Sequence, residues 1–268
     1  MRSLARRHPL VVYIVLTYLF SWSIFIPLAL KKHGLVEFPV PMPVYYAASF
    51  GPLLSAIITS YLLGGSDALK ELFARMVRWR VGPAWWWIAF SPLILLAVTV
   101  VVLKIATGGW FDLKLLGVVE FLPDLGIGAL LLWTLTYGLG EETGWRGFAL
   151  PRLQRNHSAL LATFYLWIVW ALWHAPAFFL VYDPVILPGF LIGVFAGALV
   201  FTWLYNSTGG SILIAIVFHG VFNFTTGSKA SKAGMVAAVI STIVMVWAVL
   251  VVLLYKPENL SRADKQIL

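Results

Sequence analysis

The chain has 268 residues, of which 61% are hydrophobic and 11% are charged, and its mean hydropathy is +0.90. Soluble domains carry about 25% charged residues, so this composition predicts a polytopic membrane protein. The formal net charge of +8 does not indicate nucleic-acid binding, because the basic residues lie between apolar stretches, where they orient spans in the bilayer. The absence of cysteine excludes disulfides, thiolate metal sites and a cysteine nucleophile.

Eight apolar stretches are candidates for spans, each of which needs about 20 residues to cross a bilayer. The basic N-terminus leads into the first stretch without a small-residue cleavage motif, so we interpret this stretch as a retained span. The sequence therefore predicts an all-α integral membrane protein of about eight transmembrane helices in a single polytopic domain, residues 1–268. The predicted spans are 10–30, 44–63, 84–103, 125–154, 158–180, 187–205, 211–225 and 233–255.

Two segments outside these spans are also charged. Residues 68–80 have apolar positions on one helix face and basic positions on the other, as expected for a helix on the membrane surface or for an ordinary cytoplasmic loop helix. The C-terminal tail, residues 256–268, is rich in charge, and we expect it to be mobile.

The distribution of basic residues predicts the orientation, because eight spans place both termini on one side. If that side is the cytoplasm, it holds thirteen of the 19 Lys and Arg residues, which favours cytoplasmic termini in the plasma membrane of a prokaryote. The thirteen are Arg2, Arg6, Arg7, Lys70, Arg75, Arg78, Arg80, Arg146, Arg152, Arg155, Lys256, Arg262 and Lys265.

The fourth predicted helix contains charged residues that are costly in hydrocarbon, by about 2.5–3.5 kcal/mol each on insertion scales. Glu142 and Arg146 are four residues apart and share a helix face, so they are predicted to pair. Glu141 is turned about 100° from Glu142 and faces a different environment. Small residues on this helix are predicted to let neighbouring helices approach closely. They are Gly138, Gly140, Gly144 and Gly147.

Two other helices contribute ionisable or amide groups. His174 lies in the fifth span, just before a bend expected at Pro176. The fourth and fifth helices form a predicted hairpin, which places Glu141 and His174 at a common depth. His219 and Asn223 are four apart on the seventh helix and share a face. The sequence therefore predicts a polar site among helices 4, 5 and 7.

These side chains are suited to hydrolysis. Each alone is equally compatible with a structural role, but together on three helices they indicate a functional site. A carboxylate near a histidine can remove a proton from water, and a histidine with an asparagine can stabilise an oxyanion. Alternatively, Glu141, His174 and His219 could bind zinc, although the zincin motif His-Glu-x-x-His is absent.

The spacing of these residues resembles three motifs of the CAAX protease and bacteriocin-processing family, which includes the Rce1-type prenyl endopeptidases and the Abi proteins. The motifs are EExxxR at 141–146, FxxxH ending at His174, and HxxxN from His219 to Asn223. The resemblance covers about residues 125–224. One departure is Trp170 in place of the usual Phe, from which we expect altered packing and unchanged chemistry.

The resemblance implies an intramembrane endopeptidase acting on a lipidated or membrane-associated peptide within the lipid bilayer. Carried over to this sequence, Glu141 and His174 would activate water, and His219 and Asn223 would form the oxyanion hole. Glu142 and Arg146 would orient the site. The family leaves open a metalloprotease mechanism with zinc, and we favour the mechanism without a cofactor.

Two other functions are compatible with the same residues. Some members of this family are bacteriocin-immunity or membrane-scaffold proteins without evident proteolysis. A small transporter could instead use Glu141 and the histidines as a proton relay. Intact motifs favour the protease.

Overall fold

The computed structural model describes residues 2–37, 39–109, 111–233 and 235–268. Over these residues the regular structure is helical and contains no strand, as predicted. A helix satisfies its own backbone groups, which a chain in hydrocarbon requires. The helices are α1 (Arg2–Arg7), α2 (Pro9–Lys32), α3 (Gly51–Met76), α4 (Pro83–Thr107), α5 (128–154), α6 (Ala159–Trp173), α7 (Leu187–Ser207), α8 (Ile212–Gly227), α9 (Lys229–Ala233) and α10 (Val236–Leu254), with short 3-10 helices that include Met42–Phe50 and Ala175–Phe179.

Six helical segments are long and apolar enough to cross a membrane, by length and composition. They correspond to the first, second, third, fifth, sixth and eighth predicted spans, so the protein is a multi-pass membrane protein. They are Pro9–Lys32, Met42–Met76, Pro83–Thr107, Ala159–Phe179, Pro184–Ser207 and Val236–Leu254.

The predicted fourth and seventh spans do not meet these criteria of length and composition, so the predicted total of eight transmembrane helices is not confirmed. Helix α8 is apolar but has only 16 residues. Helix α5 alternates between α-helical and π-helical turns, which are frequent at functional sites. Its π-helical parts are Thr134–Glu141 and Trp145–Ala149.

The basic segment predicted at 68–80 lies largely in the second half of α3. This helix bends at Gly65, whose φ of 63° and ψ of −144° are accessible to glycine but strained for other residues. The predicted eighth span begins at Val236, three residues later than expected, and Gly234 lies outside the described residues.

The C-terminal tail is bound to the bundle, so the prediction of a mobile tail was wrong. The buried Gln154 donates from Nε2 to the Gln266 carbonyl at 2.7 Å, and the buried Asn206 donates from Nδ2 to the Asn259 carbonyl at 2.8 Å. Leu260 is fully buried. The tail thus completes the hydrogen bonding of two buried side chains, at the ends of α5 and α7, that also bond to each other.

Helix α5 packs closely against its neighbours, which fixes the position of the motif residues. This close approach was predicted from the glycines of α5. A methyl group added at Gly138 would lie 2.5 Å from the Ile216 carbonyl oxygen of α8. One added at Gly140 would lie 2.5 Å from the Ser49 carbonyl oxygen of the 3-10 helix before α3. Helix α5 therefore lies directly against other backbones, at distances that only glycine permits.

Candidate active site

The six predicted site residues lie on three neighbouring elements. Glu141, Glu142 and Arg146 are on α5, and His174 follows the last residue of α6. The fifth span ends its regular α-helix there, and the 3-10 helix that follows contains Pro176, in agreement with the predicted bend. The remaining two, His219 and Asn223, are on α8.

Glu142 joins α5 to α8. Its Oε1 accepts a hydrogen bond from Arg146 Nη1 at 3.0 Å and another from His219 Nδ1 at 2.8 Å. The side chains of Glu142 and Arg146 are both 0% exposed. The predicted Glu142–Arg146 pair is therefore present, and it includes a histidine from another helix. Since the carboxylate accepts from Nδ1, Nε2 is the His219 nitrogen left for other contacts.

The guanidinium of Arg146 also lies against two aromatic faces. Its central carbon is 4.5 Å from the centroid of the Trp170 ring and 4.3 Å from that of Phe201. Within the described part of the chain, Nε and Nη2 of Arg146 and Oε2 of Glu142 have no hydrogen-bond partner. The buried cation is thus held by one carboxylate oxygen and by π-faces, an arrangement that depends on all of these neighbours.

Glu141 lies in a different environment from Glu142, as the rotation of about 100° between adjacent helix positions predicts. Its Oε2 accepts from the indole Nε1 of Trp170 at 2.6 Å and from that of Trp145 at 3.2 Å. Its Oε1 makes no hydrogen bond to the residues that the structure describes. Although the residue is only 2% exposed, one carboxylate oxygen remains available for a further proton donor.

His174 is fixed by its own helix. Its Nδ1 lies 2.7 Å from the carbonyl oxygen of Trp170. Because a carbonyl only accepts, Nδ1 carries the proton, and Nε2 of the neutral ring has a free lone pair. The ring is enclosed by the aromatic rings of Trp173 and Phe190, whose centroids lie 4.8 Å and 5.1 Å away.

Trp170 connects the two groups that were predicted to activate water. Its indole donates to Glu141 and its carbonyl oxygen accepts from His174, so one residue contacts both side chains. From the sequence alone, Trp170 is expected to affect packing and not chemistry. The available signal was the indole N–H, which usually needs an acceptor when it is buried. The contact between Glu142 and His219, 77 positions apart, had no signal in the local sequence.

A cavity of about 690 Å³ lies among α7, α8 and α10. Its wall is mostly apolar and includes Gly193, Phe222 and Met245. His219 and Asn223 are polar groups at this wall, whereas Glu141 and His174 are not part of it. An apolar chain could therefore occupy the cavity while its polar end meets α8.

The zinc ligands considered from the sequence are not grouped for metal binding. In the described ranges, no three His, Asp or Glu side chains lie close enough together to hold a metal ion. His219 Nδ1 binds Glu142, and Glu141 Oε2 binds two indoles. These residues do not fit a zinc site in the arrangement observed.

Two comparisons relate this chain to known proteins, and one of them matches the region that contains the site. Residues 123–225 match a family described as type II CAAX prenyl endopeptidase, Rce1-like. The predicted family resemblance is confirmed. The chain is also 30% identical over 142 residues to CAAX prenyl protease 2 of Methanococcus maripaludis. That match covers 47% of this chain and 50% of the relative, so the Rce1-like similarity spans about half of either protein.

We predict that Arg146→Ala lowers the stability of the protein. The substitution leaves the Glu142 carboxylate buried beside His219 alone, and breaking a buried ion pair costs about 3–5 kcal/mol. Thermal unfolding in detergent should show a clear fall in the melting temperature. Lys70→Ala is the matched control, because Lys70 pairs with Asp67 on an exposed surface and such pairs contribute little. Equal melting temperatures for the two variants would contradict the structural role of Arg146.

Proposed function

We propose that this protein is an intramembrane endopeptidase that hydrolyses a peptide bond in a membrane-associated, lipid-modified substrate. The observation that supports it best is the meeting of two carboxylates and two histidines of the Rce1-like region around Trp170. Trp170 and His219 of this group also line the apolar cavity. Acid, imidazole and amide groups beside an apolar chamber suit the cleavage of a peptide that is anchored by a lipid.

In the proposed mechanism, a water molecule donates one hydrogen bond to Glu141 Oε1 and one to His174 Nε2. Glu141 takes the proton while the water oxygen bonds to the scissile carbonyl carbon. The tetrahedral intermediate collapses as the C–N bond breaks, and Glu141 returns the proton to the leaving amine. The indoles of Trp145 and Trp170 keep Oε2 occupied, which leaves Oε1 as the basic oxygen.

The oxyanion is proposed to bind the Asn223 amide and His219 Nε2 at the cavity wall. For Nε2 to donate, the imidazole must carry a second proton. The Glu142 carboxylate accepts from Nδ1 and offsets the positive charge that the ring then gains. Arg146 holds Glu142 in the position from which it can do so.

The cavity suggests the class of substrate. A volume of about 690 Å³ bounded mainly by aliphatic and aromatic side chains matches a long apolar chain better than a polar peptide. The relative from Methanococcus maripaludis is named as a prenyl protease. We therefore propose a prenylated or otherwise lipidated peptide, whose lipid enters between α7 and α10 while the scissile bond lies near α8.

We predict that Glu141→Gln lowers the rate of hydrolysis by about 10²–10⁴, the usual contribution of a general base. The amide keeps the size of the side chain and an acceptor oxygen, but it cannot take the proton. The purified protein should be assayed against matched lipidated and unlipidated peptides. Glu37→Gln, in an exposed loop, is the control and should retain full activity. Wild-type protein that cleaves none of the peptides would favour an immunity or scaffold function.

The same assay tests the mechanism without metal. Protein stripped by a chelator, with far less than one zinc per chain by elemental analysis, should keep its activity. Activity that disappears on stripping and returns with stoichiometric zinc would overturn the mechanism. It would make Glu141, His174 and His219 metal ligands.

We further predict that Gly193→Leu impairs cleavage of the lipidated peptide. The new side chain would enter the cavity, and overpacking costs about 1–3 kcal/mol, so KM should rise about ten-fold or more. Cleavage of the unlipidated peptide should change little. Ala106→Leu, on an exposed part of α4, is the matched control for adding a leucine. An unchanged KM for the lipidated peptide would exclude the cavity as the lipid site.

From the distribution of the basic residues, we propose that both termini face the cytoplasm of a prokaryotic cell. The contact of Lys265 with the His157 carbonyl is compatible with this, since it joins the tail to the turn between α5 and α6. Because the chain has no cysteine, single cysteines report on individual positions. We expect exposed cysteines at Ser3 and Ala263 to resist an impermeant thiol reagent in intact cells, while Leu35→Cys is labelled. The opposite labelling pattern would reverse the orientation.

A further inference from the structure

We infer that Trp170 is a positioning residue whose indole N–H holds the carboxylate of Glu141 in its working orientation. Only the kinetic consequence of this inference rests on the proposed endopeptidase function. The hydrogen bond itself can be tested without any substrate.

The distance between Trp170 Nε1 and Glu141 Oε2 is 2.6 Å, against 3.2 Å for Trp145. Hydrogen bonds to ionised acceptors are short and about twice as strong as neutral ones. Trp170 is only 5% exposed, so water does not compete effectively for its donor. Of the two indoles, Trp170 therefore makes the stronger contact with the carboxylate.

The indole cannot easily turn away from Glu141, because its neighbours fix the ring. Arg146 lies over its face at 4.5 Å, and the His219 ring meets it nearly at right angles with centroids 5.9 Å apart. The backbone of the same residue binds His174 through its carbonyl oxygen. Trp170 thus contacts four of the proposed site residues, and its N–H is the donor directed at the carboxylate.

Replacement by phenylalanine separates the two contributions of this residue. Phe keeps a ring for Arg146 and His219 and keeps the carbonyl for His174, but it has no donor for Glu141. Trp173 offers a matched control in the next turn. It is a buried tryptophan beside His174 whose Nε1 has no partner in the described residues, so Trp173→Phe removes an indole without removing a hydrogen bond.

The test is an infrared pH titration of the protonated carboxyl band, assigned to Glu141 by its loss in Glu141→Gln. In Trp170→Phe the band should appear at higher pH than in wild type, by about one to two pH units, since an ionised carboxylate without its donor takes up a proton more readily. Trp145→Phe should give a smaller shift, and Trp173→Phe none. Equal midpoints for Trp170→Phe and Trp173→Phe would overturn the inference.

Other titratable or charged groups surround Glu141 and remain unchanged in these variants, so the shift isolates the donor. They are Glu142, Arg146, His219, Tyr13, Tyr45 and Tyr182. His174, which binds the Trp170 carbonyl, is also unchanged. The folded state of each variant is checked by gel filtration and thermal melting.

A second measurement leaves Trp170 unaltered, in case its variant does not fold. In protein labelled with 15N-tryptophan and containing Trp145→Phe, the added change Glu141→Gln should move one indole N–H resonance much more than all others. No such movement would overturn the inference.

Kinetics then separates the inference from the proposed function. For an active endopeptidase, Trp170→Phe should lower kcat about ten- to hundred-fold with little change in KM, and the acid limb of its pH–rate profile should move to higher pH. An infrared shift in a protein that cleaves nothing would refute the endopeptidase but support the hydrogen bond. Normal cleavage without an infrared shift would do the reverse.

Discussion

The arrangement of this site depends on one oxygen atom, Oε1 of Glu142, which binds both Arg146 and His219. A charged carboxylate in a fully buried position is destabilising unless its partners are in place, and here they come from α5 itself and from α8. The contact therefore ties the register of α8 to that of α5. It also decides which nitrogen of His219 is turned toward the cavity, so a structural ion pair sets the geometry of a candidate catalytic group.

Two adjacent glutamates thus have different surroundings because of the rotation between neighbouring helical positions. Glu142 has a cation and an imidazole as partners, while Glu141 has two neutral indole donors that bind a single oxygen. An arginine hydrogen-bonded to Glu141 would favour its ionised form strongly and reduce its value as a base. Indoles orient the carboxylate without adding a full positive charge, which leaves it able to exchange a proton during a reaction.

Much of this arrangement could be predicted from the sequence, since the helices follow from hydropathy and the Glu142–Arg146 pair from spacing alone. The family followed from motifs whose order along the chain is intact. The contact of Glu142 with His219 could not be predicted, because it depends on how α5 and α8 pack. The docked tail was missed for a similar reason. Its partners, Gln154 and Asn206, are polar residues near helix ends. At such positions a sequence pattern does not show whether solvent or a returning segment of the chain will bind the side chain.

The two elements that carry most of the site, α5 and α8, are also the two predicted spans that do not qualify as long apolar spans among the described residues. Length and hydropathy measure how well a helix suits lipid, whereas the parts of these helices that carry the site face protein. In α8, residues such as Phe218, His219 and Val221 are buried on successive sides of the helix. In α5, the whole stretch 140–151 is buried. Polar catalytic groups in a bilayer must be surrounded by polar partners and not by lipid. Burial against protein stabilises these groups, and it also removes the need for a long apolar stretch, which is the signal by which membrane helices are recognised.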